Sequence, residues 1–345
     1  MIRIEPSNNT KSIAWFLKPF YWFATVFKFL IKLGLVTWAS LALYYSNLPW
    51  ISVRTIMAAA FALFGIWTLW FAHRPRMTLL FAMLYIGLLV WWSSILPSHD
   101  RPWRPEVAVI PQAIINGDNV RLIGVRDFEF RSRTDFTKRY IERDVSLSHL
   151  TGIDLFISYW MPGPIGHTFL SFIFDNAPPV SISIETRPEV GESFAPVASL
   201  FKQFELIYLV GEERDLVGSR TNIRNERVYL YHLNISPANA RTLFLIYLQR
   251  INQLAAKAEF YHLLSNNCTI NIIRYANKVG RVGRMDIRHY LNGWIDSYLY
   301  AQGWLNNSLP FDVLRQRSFI NDKAKTADQS PDFSKHIRVG LPPQI

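Results

Sequence analysis

The chain has 345 residues, of which half are apolar, 15% are aromatic and only 18% are charged. Its net charge is +11, and beside long apolar segments such a basic balance favours anionic lipid headgroups over nucleic acid as the partner. A single cysteine excludes both an internal disulfide framework and a zinc site built from several cysteines. The chain therefore holds either a buried structural thiol or a reactive one.

Three apolar segments precede residue 97, and each approaches the roughly 20 residues that a helix needs to cross the hydrocarbon layer. Buried core helices are the alternative, which three such segments in a row disfavour. The stretch before the first segment, broken by Pro19, predicts an interfacial helix. Residues 1–97 are thus predicted to form a membrane anchor with an interfacial helix and three transmembrane helices. The three segments cover residues 29–50, 55–72 and 77–96.

Basic residues predict the orientation of this anchor. The turn between the first two spans carries Arg54 alone. Because cytoplasmic loops are enriched in Lys and Arg, the N-terminus is predicted to be cytoplasmic. Three crossings then place everything after Pro97 on the outer face. The residues that set this orientation precede or enter the first span, or lie between the second and third: Lys11, Lys18, Lys28, Lys32, Arg74 and Arg76.

After residue 97 charges return, and alternating strand patterns and Pro/Gly turns appear. A Pro-rich turn at 175–179 predicts an antiparallel hairpin, and Ser236 before Pro237 predicts the start of a helix. Strands followed by helices predict an α+β domain with an antiparallel sheet. The predicted divisions are a linker at 98–118, a folded domain at 119–322 and a polar C-terminal tail at 323–345. The strand patterns cover residues 119–132, 152–160, 167–174, 180–187, 204–215 and 226–234.

The cysteine, Cys268, lies in the motif SNNCTINIIRYANK at 265–278. Apolar residues recur in this motif near a period of 3.6, which predicts a helix. Asn266 and Asn267 are capping residue types, which would place Cys268 in the first helical turn. There the helix dipole and free backbone amides lower a thiol pKa, and the same amides can hold a developing oxyanion. A buried structural thiol is the alternative.

A thiolate nucleophile needs a base, and the chain has eight histidines. His167 is the candidate because it opens a strongly apolar strand directly after a Gly-Pro-rich turn; a structural histidine is the alternative. On the next strand Ser183 and Glu185 share one face, and Glu185 is the best carboxylate to hold the imidazole in one tautomer. A solvated glutamate is the alternative for Glu185. The fallback carboxylates are Glu189, Glu192 and Glu205.

The turn before His167 carries Tyr159 and Trp160, an apolar lip suited to acyl chains, although a packed turn explains it equally well. Arg187, near Glu185, is the third residue predicted for this lip, where it would either meet a phosphate or pair with a carboxylate. The sequence has no Gly-rich phosphate loop, no paired cysteines and no histidine pair at ligand spacing, so we expect no metal, cofactor or nucleic acid.

A histidine-led strand followed later by a helix-leading cysteine is the reverse of the papain order. It resembles the circularly permuted papain-like (NlpC/P60-related) enzymes, in which an Asn–Cys pair opens the catalytic helix as Asn267–Cys268 does here. The chain is also similar to the Lnb-type family, bacterial membrane proteins proposed as lipoprotein N-acyltransferases, over roughly residues 120–320. One departure is Ile270, where a small polar residue is expected. The similar blocks are HTFLSFIF, SISIETRPEVGESF, LFKQFELIYLVGEERD, RVYLYHL and EFYHLLSNNCTINI.

The resemblance implies a permuted papain-like catalytic domain at 119–322, on the periplasmic face of a bacterial inner membrane, with lipids and lipoproteins as partners. Cys268 would take an acyl chain from a phospholipid or from a lipoprotein's diacylglyceryl ester as a thioester. His167, oriented by Glu185, would transfer protons, and the acceptor would be the α-amino group of a lipoprotein's lipidated N-terminal cysteine. The alternatives are a cysteine hydrolase that cleaves peptidoglycan peptides or amides, and a non-enzymatic scaffold with a structural Cys268.

Overall fold

The computed structural model describes residues 9–46, 48, 50–280, 283 and 286–344. By the contacts between its residues the chain divides into two compact units. They are Met1–Leu96 with Phe201–Gln203, and Pro97–Leu200 with Phe204–Ile345.

The first unit contains three long helices. Ala39, Leu43, Ala58 and Leu88 form the centre of the helical packing, where small side chains allow helices to approach closely. Pro19 lies within the first helix, which is continuous from Asn9 to Tyr44, and the predicted interfacial position of its N-terminal part stays a prediction. The helices are α1 (Asn9–Tyr44), α2 (Ile51–Ile66), continued by a π-helical turn (Trp67–Phe71), and α3 (Pro75–Ser94). The parts long and apolar enough to cross a membrane are Phe20–Tyr44, Ile51–Phe71 and Pro75–Ser94.

The second unit is built on an eight-stranded sheet with the order β1-β2-β9-β8-β7-β6-β10, and β5 pairs with β2 outside this order. A separate pair of short strands, β3 and β4, follows β2. The strands are β1 (Gln112–Asn116), β2 (Asn119–Arg126), β3 (Glu129–Phe130), β4 (Phe136–Thr137), β5 (Tyr140–Ser146), β6 (Leu150–Tyr159), β7 (His167–Phe174), β8 (Val180–Arg187), β9 (Glu205–Gly211) and β10 (Arg227–His232).

The predicted hairpin is present, since β7 and β8 pair in antiparallel register with Phe169 opposite Ser183. The sheet is mixed rather than purely antiparallel, because β2 and β9 pair in parallel through Arg126 and Gly211. Gly211 permits this contact: a Cβ added there would lie 2.9 Å from the Arg126 carbonyl oxygen. The sequence gives no local signal for this pairing, since the two strands are far apart in the chain.

Helices cover both faces of the sheet. Successive side chains of β7 point to opposite faces, so Phe172 packs on Phe244 of one helix while Phe169 stacks on Phe156 on the other face, with ring centroids 4.8 Å apart. The helices are α4 (Glu213–Leu216), α5 (Pro237–Ala256), α6 (Cys268–Val279), α7 (Ile295–Ala301), α8 (Phe311–Arg317), α9 (Asn321–Thr326) and α10 (Phe333–His336).

The C-terminal residues differ from the predicted polar tail at 323–345. Ala324, Phe333 and Ile337 are buried in one cluster with Phe156 and Phe169 of the sheet. The segment is polar on average, but its few apolar side chains lie at positions that cover the sheet face left open by α5 and α6. Burial of these side chains stabilises the domain, at about 25 cal/mol for each Å² of apolar surface removed from water.

Candidate active site

Helix α6 begins at Cys268, as its capping pattern predicts. Asn267 is the N-cap, and its Oδ1 accepts a hydrogen bond from the Ile270 backbone amide at 2.8 Å. Asn266 supports the same turn, because its Oδ1 accepts from Asn271 Nδ2 at 2.9 Å. The two asparagines predicted as cap or oxyanion candidates therefore use their side chains to shape the helix start, with Cys268 buried in the first turn.

Two threonines and an asparagine join the start of α6 to the start of β7. The Thr168 and Thr269 hydroxyls are 2.8 Å apart. Asn292 Nδ2 donates to Thr269 Oγ1 at 3.0 Å and lies 3.7 Å from Cys268 Sγ, while its Oδ1 accepts from the Gly166 amide at 2.9 Å. These bonds hold the thiol beside the residue that opens β7. Asn292 escaped sequence reasoning because it lies outside any motif.

His167 and Glu185 lie side by side on the β7–β8 hairpin. His167 Nε2 is 3.0 Å from Glu185 Oε1 and 2.7 Å from Ser183 Oγ, and the Ser183 hydroxyl donates to Glu185 Oε1 at 2.6 Å. Extending the register that pairs Phe169 with Ser183 by two residues on each strand places His167 opposite Glu185.

The fallback carboxylates are engaged elsewhere. Glu189 and Glu205 both pair with Arg101, at 3.1 and 2.9 Å respectively. Glu192 accepts a hydrogen bond from the Glu189 backbone amide at 2.9 Å. The structure thus brings Glu185, of the four glutamates considered, to the candidate base.

Arg220 completes the cluster and was missed from the sequence. Its Nη2 lies 2.6 Å from Glu185 Oε1 and its Nη1 lies 3.1 Å from Glu226 Oε2, which also accepts a 2.5 Å hydrogen bond from Ser158. Arg220 belongs to a π-helical turn, Ser219–Ile223, between α4 and β10. No local pattern links that turn to a strand residue 35 positions earlier in the chain.

The charges of these groups alternate. Burial raises the pKa of the Cys268 thiol, but the positive charge of His167, with hydrogen bonds from His167 and the Thr168 amide, lowers that pKa to about 6. Burial and Arg220 lower the pKa of His167, whereas Glu185 and Cys268 raise it, and the net pKa is about 9. Burial raises the pKa of Glu185, but His167 and Arg220 hold it well below its usual range. At neutral pH the site therefore holds a thiolate, an imidazolium, a carboxylate and a guanidinium.

A cavity of about 530 Å³ opens beside Cys268 and His167. This volume lies in the range of sites that enclose small ligands. Trp160 and Phe194 meet edge to face at its wall, with ring centroids 6.3 Å apart. The other apolar side chains lining it are Ile165, Pro196, Leu209, Leu263, Leu264, Tyr290 and Leu291.

Of the three residues predicted to form the lip, Trp160 lines this cavity and the other two do not. Tyr159 is buried, and its hydroxyl donates to the Gly293 carbonyl oxygen. Tyr159 is the last residue of β6, whereas Trp160 lies beyond the strand and lines the cavity. Arg187 is also buried, with its guanidinium 4.1 Å from the Trp103 ring centroid. Tyr159 and Arg187 therefore do not line the cavity as lip residues would.

The fold and the site define a class: a membrane-anchored α+β protein with a cysteine–histidine–glutamate cluster beside an apolar cavity. The model of the family described as the Lnb N-terminal periplasmic domain matches residues 136–293, which include all four charged members of the cluster. The resemblance to the Lnb-type family is confirmed over residues 136–293, and this match together with the three long apolar helices supports an inner-membrane protein with a periplasmic domain. The family indicates a lipoprotein-related function and an enzyme. Searches of curated proteins and of solved structures gave no match.

Proposed function

We propose that this protein is a lipoprotein N-acyltransferase in which Cys268 carries the acyl chain as a thioester. The observation that supports the proposal is that Cys268 and the His167–Glu185 pair line the same largely apolar cavity, with His167 hydrogen-bonded to the thiol. A buried thiol of purely structural use does not need a histidine whose carboxylate partner lies 3.0 Å away. The apolar walls favour acyl chains over the polar peptides that a peptidoglycan hydrolase would take.

The first half-reaction begins with the thiolate that the ion pair maintains near neutral pH. Cys268 Sγ attacks the ester carbonyl carbon of a phospholipid or of a lipoprotein's diacylglyceryl group, and an oxyanion forms. Asn292 Nδ2, 3.7 Å from the thiol, and the amides of the first turn of α6 would donate hydrogen bonds to that oxyanion. When the C–O bond breaks, the His167 imidazolium donates its proton to the leaving alkoxide, and the acyl thioester stays on Cys268.

The second half-reaction reverses these roles. The α-amino group of a lipidated N-terminal cysteine attacks the thioester carbonyl, and neutral His167 accepts the proton that the amine loses. The C–S bond then breaks and regenerates the thiolate–imidazolium pair. Glu185 keeps the imidazole oriented in both steps, and Arg220 keeps Glu185 ionised through their 2.6 Å contact. Three membrane crossings with a cytoplasmic N-terminus would keep this chemistry at the periplasmic surface of the bilayer.

The proposal is tested in a bacterium that has this protein as its sole lipoprotein N-acyltransferase. Mass spectrometry of lipoprotein N-terminal peptides is expected to show N-acylation with the native chain, and none with Cys268→Ala or Cys268→Ser. Arg121→Gln is the control, because that side chain is exposed on β2 and pairs with Asp144 of β5. Unchanged N-acylation in both Cys268 variants would overturn the proposal. If the native chain releases peptidoglycan peptides and the Cys268 variants do not, the result favours the alternative function of a cysteine hydrolase.

A further inference from the structure

A second cavity, of about 390 Å³, adjoins the one at Cys268, and we call it the arginine chamber. Its lining is mainly polar, whereas the cavity at Cys268 is mainly apolar. Most of the residues lining the chamber also line the larger cavity, so the two form one continuous space. The shared residues are Arg104, Glu106, Trp160, Ser219, Arg224 and Glu226, and those of the chamber alone are Phe130, Arg133 and Ile223.

The carboxylates of the chamber already have cationic partners. Glu106 Oε1 accepts a hydrogen bond from Arg104 Nη2 at 2.7 Å. Glu226 Oε2 lies 3.1 Å from Arg220 and accepts from Ser158 at 2.5 Å. Within the described residues, therefore, both carboxylates of the chamber make their close ion pairs with arginines other than Arg133 and Arg224.

The other two arginines are less well compensated. Arg224 Nη1 is 3.8 Å from Glu226 Oε1, which is beyond hydrogen-bonding distance, and its side chain is 40% exposed. Burial and the nearby charge of Arg220 lower the pKa of Arg224, as expected for a cation that lacks a close anion. Arg133 Nη2 donates to the Arg224 backbone carbonyl at 2.9 Å, which fixes the Arg133 guanidinium beside the backbone of Arg224, and both residues line the chamber.

We propose that the arginine chamber binds the phosphodiester of a glycerophospholipid while an acyl ester of the same molecule lies at Cys268. Guanidinium groups present paired N–H donors that match phosphate oxygens, and charge-assisted bonds of this kind are stronger than those between neutral groups. The apolar cavity would hold the acyl chains, and Trp160 lines both spaces. The inference rests on the proposed function and narrows it: the donor is a phospholipid rather than a neutral diacylglyceryl group.

The test measures binding apart from acyl transfer. Full-length Cys268→Ala protein in a non-ionic detergent is titrated calorimetrically with dihexanoylphosphatidylglycerol and with dihexanoylglycerol, which lacks the phosphate. The phospholipid is expected to bind at least tenfold more tightly. Adding Arg133→Gln and Arg224→Gln should reduce this ratio to below twofold. Arg121→Gln with Lys335→Gln removes the same net charge from exposed positions and should leave the ratio unchanged.

Three results would overturn the inference: equal binding of the two lipids, a ratio that survives the double arginine variant, or inorganic phosphate binding as tightly as the phospholipid. The last would identify a site for a free anion. A parallel assay with Cys268 intact follows the acyl thioester formed from the phospholipid. If the phospholipid binds preferentially but no thioester forms, the proposed function is rejected and phosphate binding by the arginine chamber still stands. If a thioester forms without any binding preference, only the role of the arginine chamber is rejected.

Discussion

Arg220 and Arg187 are both buried in the periplasmic domain, yet their surroundings differ in kind. Arg220 meets the carboxylates of Glu185 and Glu226, at 2.6 and 3.1 Å. Arg187 donates to the carbonyl oxygens of Val107 and Ala108, at 2.9 and 2.7 Å, and stacks on an indole ring. The Arg220 guanidinium is therefore compensated by ionised carboxylates. The Arg187 guanidinium is compensated mainly by backbone carbonyl dipoles and the face of an indole ring.

The pKa values express the difference. Burial lowers the pKa of Arg187 to about 10. Burial also acts to lower the pKa of Arg220, but Glu185 and Glu226 outweigh it and raise that pKa. Because Glu185 is shared between Arg220 and His167, the charge of Arg220 can influence the imidazole, whereas Arg187 holds a loop in place. A buried arginine affects the chemistry of a site when its counter-ion is shared with a titratable neighbour.

The largest expected difference between the two regions is in acyl transfer. Arg220→Met should lower kcat by about 100-fold, within the range that a positioned acid–base group contributes, because Glu185 loses its cation and His167 its orientation. Arg187→Met should change kcat by less than about threefold but lower the Tm, because buried carbonyl oxygens lose their donors. Steady-state N-acylation of a lipopeptide and thermal unfolding measure the two effects.

Arg220→Lys is the control for a positioning role, because lysine keeps the positive charge but cannot contact Glu185 and Glu226 through two separate guanidinium nitrogens. It should recover part of kcat without changing KM for the acceptor. Equal losses of kcat in Arg220→Met and Arg187→Met, in proportion to their Tm, would show that both arginines are structural.

The second expected difference concerns pH. The lowered thiol pKa means that the thiolate is present above about pH 6 and is lost as the pH falls through that value. The raised His167 pKa means that the imidazolium is lost as the pH rises through about 9, so thioester formation should be bell-shaped between these limits. Iodoacetamide alkylation of Cys268 across pH checks the lower limit.

Variants separate the contributions to this profile. Glu185→Gln should move the upper limit to lower pH, because the carboxylate that raises the His167 pKa is removed. Arg187→Met should move neither limit. An alkylation midpoint near 8.5 in the native chain, the ordinary value for a thiol, would rule out the ion pair.

The smallest expected difference compares two helix caps. Asn267 caps α6 at the site, with a 2.8 Å bond to the Ile270 amide, whereas Ser236 caps α5 with a 3.3 Å bond to the Asn239 amide. Replacing either by Ala should reduce the free energy of unfolding by about 1 kcal/mol. Only Asn267→Ala should also slow Cys268 alkylation, by a few-fold. Denaturant titration measures the free energy of unfolding, and alkylation kinetics measure the reactivity of the thiol. The same slowing in Ser236→Ala would mean that the α6 cap has no particular role.

Local sequence patterns predict much of this molecule. Hydropathy alone indicates the three long helices, and the capping asparagines predict the start of α6 at Cys268. Strand alternation predicts that Glu185 faces the same side as Ser183, and the hairpin register then brings His167 to it.

The missed features depend on contacts between distant parts of the chain. Arg220 and Asn292 reach the site from turns whose own sequence carries no sign of their partners. The parallel pairing of β2 with β9 likewise joins residues far apart in the chain. The predicted role of Arg187 failed because its exposure depends on the loop that covers it, which neighbouring residues do not reveal.

The central claim is that Cys268 carries the acyl group. The direct measurement incubates full-length protein with phospholipid vesicles, quenches in acid and examines the tryptic peptide 258–274 by mass spectrometry. We predict a hydroxylamine-labile acyl adduct on Cys268 in the native chain, reduced at least 100-fold in His167→Asn, about the contribution of a general acid–base group, and absent in Cys268→Ala. An unmodified Cys268 in native protein that still N-acylates lipoproteins would contradict the account.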